Sequence, residues 1–190
     1  LMDGITYYSP LKYWVGGKGY KWGVVVLGSL GNMTVKFGIS LSAEVTVLSK
    51  SPEKEADDIA LGANKFIVTK DEAQFKSVSG YFDFIIDTVS AKHNINDYIG
   101  LLRTNGIMIC VGLPSEPTPI SAFSIIFGRK SLAGSGIGGL PETQEMLDYC
   151  AEHNIVSDIE MIDMKDITEA YKRMVKGDVK YRFVIDMSTL

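Results

Sequence analysis

Short apolar runs alternate with mixed segments along most of this chain, and the alternation sets the predicted elements. The sharpest case is Trp22–Lys36. An apolar run from Val24 to Leu27 stops at a glycine turn, Gly28 and Gly31, and Leu30, Met33, Val35 and Phe37 then follow at roughly helical spacing. Tyr7–Trp14 reads as a short helix or packed turn, and 15–21 as a glycine-containing loop. The pattern predicts strands over Gly23–Leu27, Glu44–Leu48, Lys65–Val68, Tyr81–Ile86, Gly106–Val111, Lys130–Ala133, Ile159–Ile162 and Tyr181–Asp186. It predicts helices over Leu30–Ser40, Ser51–Leu61, Asn94–Leu102, Pro141–His153 and Asp166–Val175. Ser51 and Pro52 suit a helix start, Gly62 suits the residue just past a helix end, and Gly177 closes the last helix.

Strands separated by helical segments of ~10–15 residues make βαβ units around a parallel sheet. Ligands of such sheets bind beyond the carboxyl ends of the strands. That rule selects Gly28, Ser49, Thr88, Gly112 and Ser135, far apart in sequence but on one edge of one sheet.

Composition narrows the class. The 190 residues are 46% hydrophobic with a net charge of -4, enough for one sizeable core. No basic cluster marks a nucleic-acid or membrane-surface role, no apolar run nears the ~20 residues of a bilayer span, and no signal-peptide pattern is present. Cys110 and Cys150 stand apart and outside any C-x-x-C pair, which reads as two free thiols in a reducing compartment. With His93 and His153 besides, no local metal-ligand spacing assembles. The expected location is cytoplasmic. The chain starts at Leu1 and enters an apolar, aromatic segment, as the interior of a longer protein would.

A strand, a tight turn and a helix N-terminus in that order cradle a nucleotide diphosphate, because free N–H groups of the first helical turn and the helix dipole favour negative charge. The fingerprint is G-x-G-x-x-G; here Val26 stands first, giving V-x-G-x-x-G, and an ordinary βα turn carries the same pattern. About 20 residues beyond that turn, a carboxylate normally meets the adenosine ribose. This chain has Ser49-Lys50-Ser51-Pro52-Glu53-Lys54 there. Two hydroxyls and two ammonium groups suit a 2′-phosphate, so the reading is NADP over NAD; the alternative is a solvated helix start.

Several blocks carry a resemblance: Gly4-Ile-Thr-Tyr-Tyr-Ser-Pro-Leu-Lys12, Leu27-Gly-Ser-Leu-Gly31, Asp87-Thr-Val-Ser90, Gly128-Arg-Lys130, Gly134-Ser-Gly-Ile-Gly-Gly139, Glu142-Thr-Gln-Glu-Met146 and Asp178-Val-Lys-Tyr-Arg-Phe-Val-Ile-Asp186. The chain resembles, along essentially its whole length, the cinnamyl-alcohol dehydrogenase branch of the zinc-dependent medium-chain dehydrogenases, with the broad-range aldehyde reductases close to it. The resemblance implies an α/β fold: a Rossmann-type doubly wound parallel sheet, with terminal segments belonging to a catalytic domain absent here. It implies residues 1–20 as a remnant of that domain and connector, 21–157 as the NADP-binding domain, and 158–190 as a segment returning towards the catalytic domain. It assigns Leu27, Gly28, Ser29, Leu30 and Gly31 to the pyrophosphate turn and Ser49, Lys50, Ser51 and Lys54 to the 2′-phosphate. Thr88 would meet the cofactor after the fourth strand. Gly112, Ser135, Gly136, Ile137 and Thr6 would flank the nicotinamide, and Arg182 would approach the phosphates.

The implied activity is hydride transfer between nicotinamide and a primary alcohol or aldehyde, this chain being the cofactor-binding part. The alternative is a truncated or decayed module that binds NADP or dimerises without catalysis. Zinc belongs to the full-length family and is not expected in this chain: the cysteine of the family's Cys-Ala-Gly-Ile-Thr stretch is Met2 here, a thioether and a poor zinc ligand. Asn32 stands where a histidine is common. The expected assembly is a homodimer joined through the 129–134 edge strand. Tyr7, Tyr8, Tyr13, Trp14 and the final strand are expected to face the absent domain. His93 reads as a surface cap, His153 as a helix end, Asp57 and Asp58 as a solvated face, and Met146, Met161, Met164 and Met174 as core filler.

Overall fold

The computed structural model describes residues 1–14, 18–26, 31–176 and 182–190. Helix α1 (Met2–Trp14) precedes β1 (Lys21–Val26), α2 (Gly31–Ser40) and β2 (Glu44–Ser49). A 3-10 turn at Pro52–Lys54 leads into α3 (Glu55–Ala60), then β3 (Lys65–Val68), α4 (Glu72–Ser77), β4 (Phe82–Asp87), α5 (Ile95–Leu101) and β5 (Leu102–Cys110). The chain continues through α6 (Ala122–Ile126), β6 (Ser131–Gly134), α7 (Leu140–Glu152), β7 (Glu160–Asp163), α8 (Ile167–Val175) and β8 (Phe183–Asp186). The first six strands form one parallel sheet in the order β3-β2-β1-β4-β5-β6, while β7 and β8 pair in parallel as a separate ribbon. The order reverses between β1 and β4, the switch point of a doubly wound sheet.

Both sheet faces are apolar because alternate strand residues point to opposite sides. Val24, Val26, Phe84 and Ile86 join Trp22, Val35 and Phe37 in one core cluster. Val25, Leu48, Phe82, Ile85 and Met108 join Ile95 and Ile99 in the other. Two glycines are set by closeness: a Cβ at Gly38 would lie 2.5 Å from Val45 Cγ2, and one at Gly31 would lie 2.5 Å from Val26 Cγ2. Helix α2 therefore lies directly on β1 and β2. Gly62, at φ 106, ends α3 with its N–H donated to the Ile59 carbonyl, as the sequence predicts.

Some expectations change. The helix over 51–61 is a 3-10 turn followed by α3; Ser51 occupies the N-cap position without a side-chain cap bond. Tyr7 and Tyr8 do not wait for another domain: α1 lies on α2 and α7, and both rings are in the core. Tyr13 is exposed. Met146 is core, but Met161 and Met174 are exposed. Helices α4 and α6 were not in the predicted pattern. Gly177 and Tyr181 lie outside the described residues.

Candidate functional site

Strand register decides which ends meet. Val26 is opposite Ser49, and Val25, Asp87, Cys110 and Gly134 face one another in succession across β1, β4, β5 and β6. The predicted positions Ser49, Thr88, Gly112 and Ser135 therefore share the carboxyl edge. Thr88 donates its N–H (3.2 Å) and hydroxyl (2.8 Å) to the Val25 carbonyl, closing the switch point. Gly112 donates to the Asp87 carbonyl at 3.0 Å, and Ser135 to the Cys110 carbonyl at 3.1 Å. A Cβ at Gly112 would lie 2.5 Å from the Val89 carbonyl oxygen, so only glycine lets these two exit loops touch.

Gly31, the first residue of α2, packs on Val26. The side chain that replaces the first glycine of the fingerprint thus fills the space under the last one. Leu27, Gly28, Ser29 and Leu30 lie outside the described residues. At the β2 end, the buried Ser49 hydroxyl accepts the Ser51 N–H at 3.2 Å and fixes the turn that carries Lys50 and Lys54. Glu53 lies in the same turn, its carboxyl held below the ordinary range by its own N–H first and then by the Ser51 hydroxyl.

Thr6 bonds the Met2 carbonyl along α1. Its neighbour Ile5 packs on the 135–139 segment, where a Cβ at Gly138 would lie 2.7 Å from Ile5 Cγ1. In that segment Gly136 has open space around it and Ile137 holds φ 57, a left-handed conformation that a β-branched residue adopts only under constraint. Arg182 is ion-paired with Asp3 of α1, which places it at the α1 end of the crevice.

One pair escaped the sequence reading. His93 is not a surface cap: its Nε2 lies 2.9 Å from Asp87 Oδ2, and both side chains are nearly buried, at 6% and 5% exposure. Its Nδ1 lies 2.9 Å from the Ala91 carbonyl, and Asp87 Oδ1 accepts the Val89 N–H at 3.0 Å. Burial pushes the Asp87 carboxyl above its ordinary range, against the opposing pull of His93. An acid at a strand end with a histidine six residues on was the available signal. The Cys110 thiol beside it is pushed up to about 11 by burial and then by Asp87.

Among the described residues no group of three His, Cys, Asp or Glu could hold a metal. Met2 is 62% exposed and offers only a thioether. This donor set does not fit zinc. The β2 end carries the hydroxyl and ammonium groups that a nucleotide phosphate needs, at Ser49, Lys50, Ser51 and Lys54. No helix among the described residues is long and apolar enough to cross a membrane.

Comparison with known proteins agrees. The family described as zinc-binding dehydrogenase matches residues 29–152. The probable formaldehyde dehydrogenase AdhA of Bacillus subtilis is 48% identical over 190 residues, 100% of this chain and 54% of that protein. Cinnamyl alcohol dehydrogenase 2 of Arabidopsis thaliana is 50% identical over 191 residues, 99% of this chain and 51% of that protein. A solved cinnamyl alcohol dehydrogenase from Sorghum bicolor superposes with a TM-score of 0.94 at 44% identity, covering 99% of this chain and 54% of that one. The Helicobacter pylori enzyme of that type, complexed with NADP(H), gives 0.88 at 40% identity with coverages of 99% and 54%. The chain spans about half the length of the curated relatives it matches. From the glycine turn to the last helix of its sheet, then, this chain belongs to the zinc-binding dehydrogenase family, beside the cinnamyl alcohol dehydrogenases.

Proposed function

We propose that this chain is the cofactor-binding part of an NADP(H)-dependent alcohol dehydrogenase or aldehyde reductase of the cinnamyl-alcohol type. The observation that carries the reading is the β2 end. Ser49, Lys50, Ser51 and Lys54 sit on one turn, in register with Val26 at the switch point. Charge-assisted contacts to a 2′-phosphate belong there. Gly31 and the turn before it hold the pyrophosphate against the α2 N-terminus, Thr88 supports the adenosine side, and Thr6, Gly112, Ser135, Gly136 and Ile137 flank the nicotinamide. The nicotinamide, when bound, supplies or accepts a hydride. The residues of this chain orient it and exclude water from one face. The partner of that hydride is a primary alcohol or aldehyde, and the protein is cytoplasmic.

Fluorescence titration with NADPH and NADH tests the cofactor. NADPH binds more tightly, and Lys50→Ala with Lys54→Ala weakens NADPH by ~1.5–3 kcal/mol per lost contact while leaving NADH nearly unchanged. Tighter NADH binding sinks the assignment.

A second reading has its own observation, Met2 at an exposed position with no metal-capable cluster among the described residues. On that reading the isolated chain binds cofactor without zinc and without dehydrogenase activity. Elemental analysis showing stoichiometric zinc rejects it. The assembly we infer is a homodimer through β6, the end strand of the sheet among the described residues. Leu132→Pro removes an edge donor and converts the dimer to monomer in sedimentation; a wild-type monomer at micromolar concentration refutes it.

A further inference from the structure

The Asp87–His93 pair has no part in the cofactor contacts above, yet both loops that bound the crevice stand on it. The Asp87 carbonyl accepts the N–H groups of Val111 (2.9 Å) and Gly112 (3.0 Å), the first residues beyond β5. Its carboxylate accepts the Val89 N–H at 3.0 Å and meets His93 at 2.9 Å, which folds residues 88–93 back onto the strand end. The His93 ring is held on its other side by Tyr98 of α5, edge to face with centroids 5.6 Å apart.

The hydrogen-bond geometry fixes a proton count. The Ala91 carbonyl only accepts, so His93 Nδ1 carries hydrogen. Nε2 and Asp87 Oδ2 then need one proton between them, as imidazolium with carboxylate or as imidazole with carboxylic acid. With none, a lone pair faces a buried anion.

We propose that Asp87 and His93 form a one-proton clamp that positions the loops 88–94 and 111–119, which together line one groove at the carboxyl edge of β4 and β5. Its positioning role rests on the cofactor reading; the clamp itself does not. The other titratable groups facing the pair are Cys110 on β5 and Tyr98 on α5, with Asp97 acting on Tyr98. Among the described residues of β1, Val25 stands in register with Asp87, and Lys92 and Glu116 line the open groove beside His93. Burial raises the thiol and the phenol, so both stay protonated below pH 8.

The linkage follows. An unfolded Asp releases its proton near ~3.9 and an unfolded imidazole near ~6.5. The proposed clamp requires the folded pair to hold one proton, because Nδ1 meets the Ala91 carbonyl while Nε2 faces Asp87 Oδ2. Above about pH 6.5 the folded chain therefore holds more protons than the unfolded one, and stability falls as pH rises. Asp87→Asn changes the sign. Its amide oxygen accepts the Val89 N–H and its NH2 donates to a neutral His93, so the contacts survive with no shared proton. Its folded state then holds fewer protons than the unfolded chain below about pH 6.5, and stability falls as pH drops. His153 and the remaining carboxylates are common to both proteins and drop out of the difference.

Urea unfolding of the full chain at pH 5, 6.5 and 8 reads this directly. The wild-type folding constant falls between pH 6.5 and 8, by up to about tenfold per pH unit, the limit for one proton. Relative to the wild type, Asp87→Asn loses less between pH 6.5 and 8 and more between pH 6.5 and 5. His93→Phe is less stable than either at pH 6.5. A wild type flat above pH 6.5, an Asp87→Asn variant that keeps the alkaline loss, or one that fails to fold overturns the clamp. The NADPH dissociation constant, measured at pH 6.5 and 8, rises for the wild type and stays level for Asp87→Asn. If both stay level, the positioning role falls. If neither protein binds NADPH at any pH, the cofactor reading fails while the urea result still decides the clamp.

Discussion

The six-stranded sheet and the β7–β8 ribbon are built from the same parts: parallel strands joined through helices. They end at opposite extremes of burial. Every residue of β1 after Lys21 is buried, and β4 is buried except at Asp83. No residue of β7 or β8 is buried. The sheet has helices over both faces and two apolar clusters. The ribbon has α8, of which only Ala170 is buried, while Tyr171, Met174 and Val175 remain exposed. Polar contacts hold it instead. Arg173 makes a two-pronged bond to Glu160 at 2.6 and 3.1 Å and lies over the Phe183 ring at 4.9 Å. Asp158 accepts from Asn32 and Lys36 of α2 at 2.8 and 2.6 Å, anchoring the approach to the ribbon. Within these 190 residues the sheet has two covered faces and the ribbon has not, in a chain that spans about half the length of the relatives it matches.

The contrast can be broken or sharpened by substitution. The largest loss is expected in the sheet. Phe84→Ala empties a fully buried site packed on Trp22 and costs ~3–5 kcal/mol in urea unfolding. Gly112→Ala forces a Cβ against the Val89 backbone and costs ~1–3 kcal/mol, together with weaker NADPH binding in the same titration. Asp71→Ala removes the side chain that accepts the Ala73 and Gln74 N–H groups at the start of α4; thermal unfolding registers ~1 kcal/mol. Val175→Ser on the exposed side of α8 changes stability by less than ~0.5 kcal/mol. A loss there as large as at Phe84 would mean the ribbon is buried in solution and the contrast is void.

The sheet was legible in the sequence because its strands are continuous apolar runs, long enough to separate from the helices between them. Helix α4 was not, since Glu72–Ser77 has no apolar stripe and depends on the Asp71 cap. Helix α6 is only five residues long, too short for a helical period to show. At the site, Ser49, Thr88, Gly112 and Ser135 were found because the strand-end rule is local to each strand. His93 was missed because its role needs the chain to turn back on Asp87, and the one sequence signal, an acid at a strand end with a histidine six residues on, does not by itself say that the two meet. Tyr7 and Tyr8 were set on the wrong partner for a similar reason. Their aromatic character is visible, but the surface α1 meets comes from α2 and from α7, and Tyr8 reaches Glu145 and Tyr149 of α7 far along the chain.

That last contact bears on how the chain is made. The Tyr8–Glu145 bond spans 137 residues, and α1 completes its burial only when α7 arrives. At ribosomal rates of about 5–20 residues per second, α1 waits roughly 7–27 s for α7, with only α2 available to cover Ile5, Tyr7, Tyr8 and Leu11 in the meantime. Long-range closures of this kind slow folding and expose nascent apolar surface to aggregation or chaperone capture. Helix α1 is thus among the last elements of these 190 residues to lock.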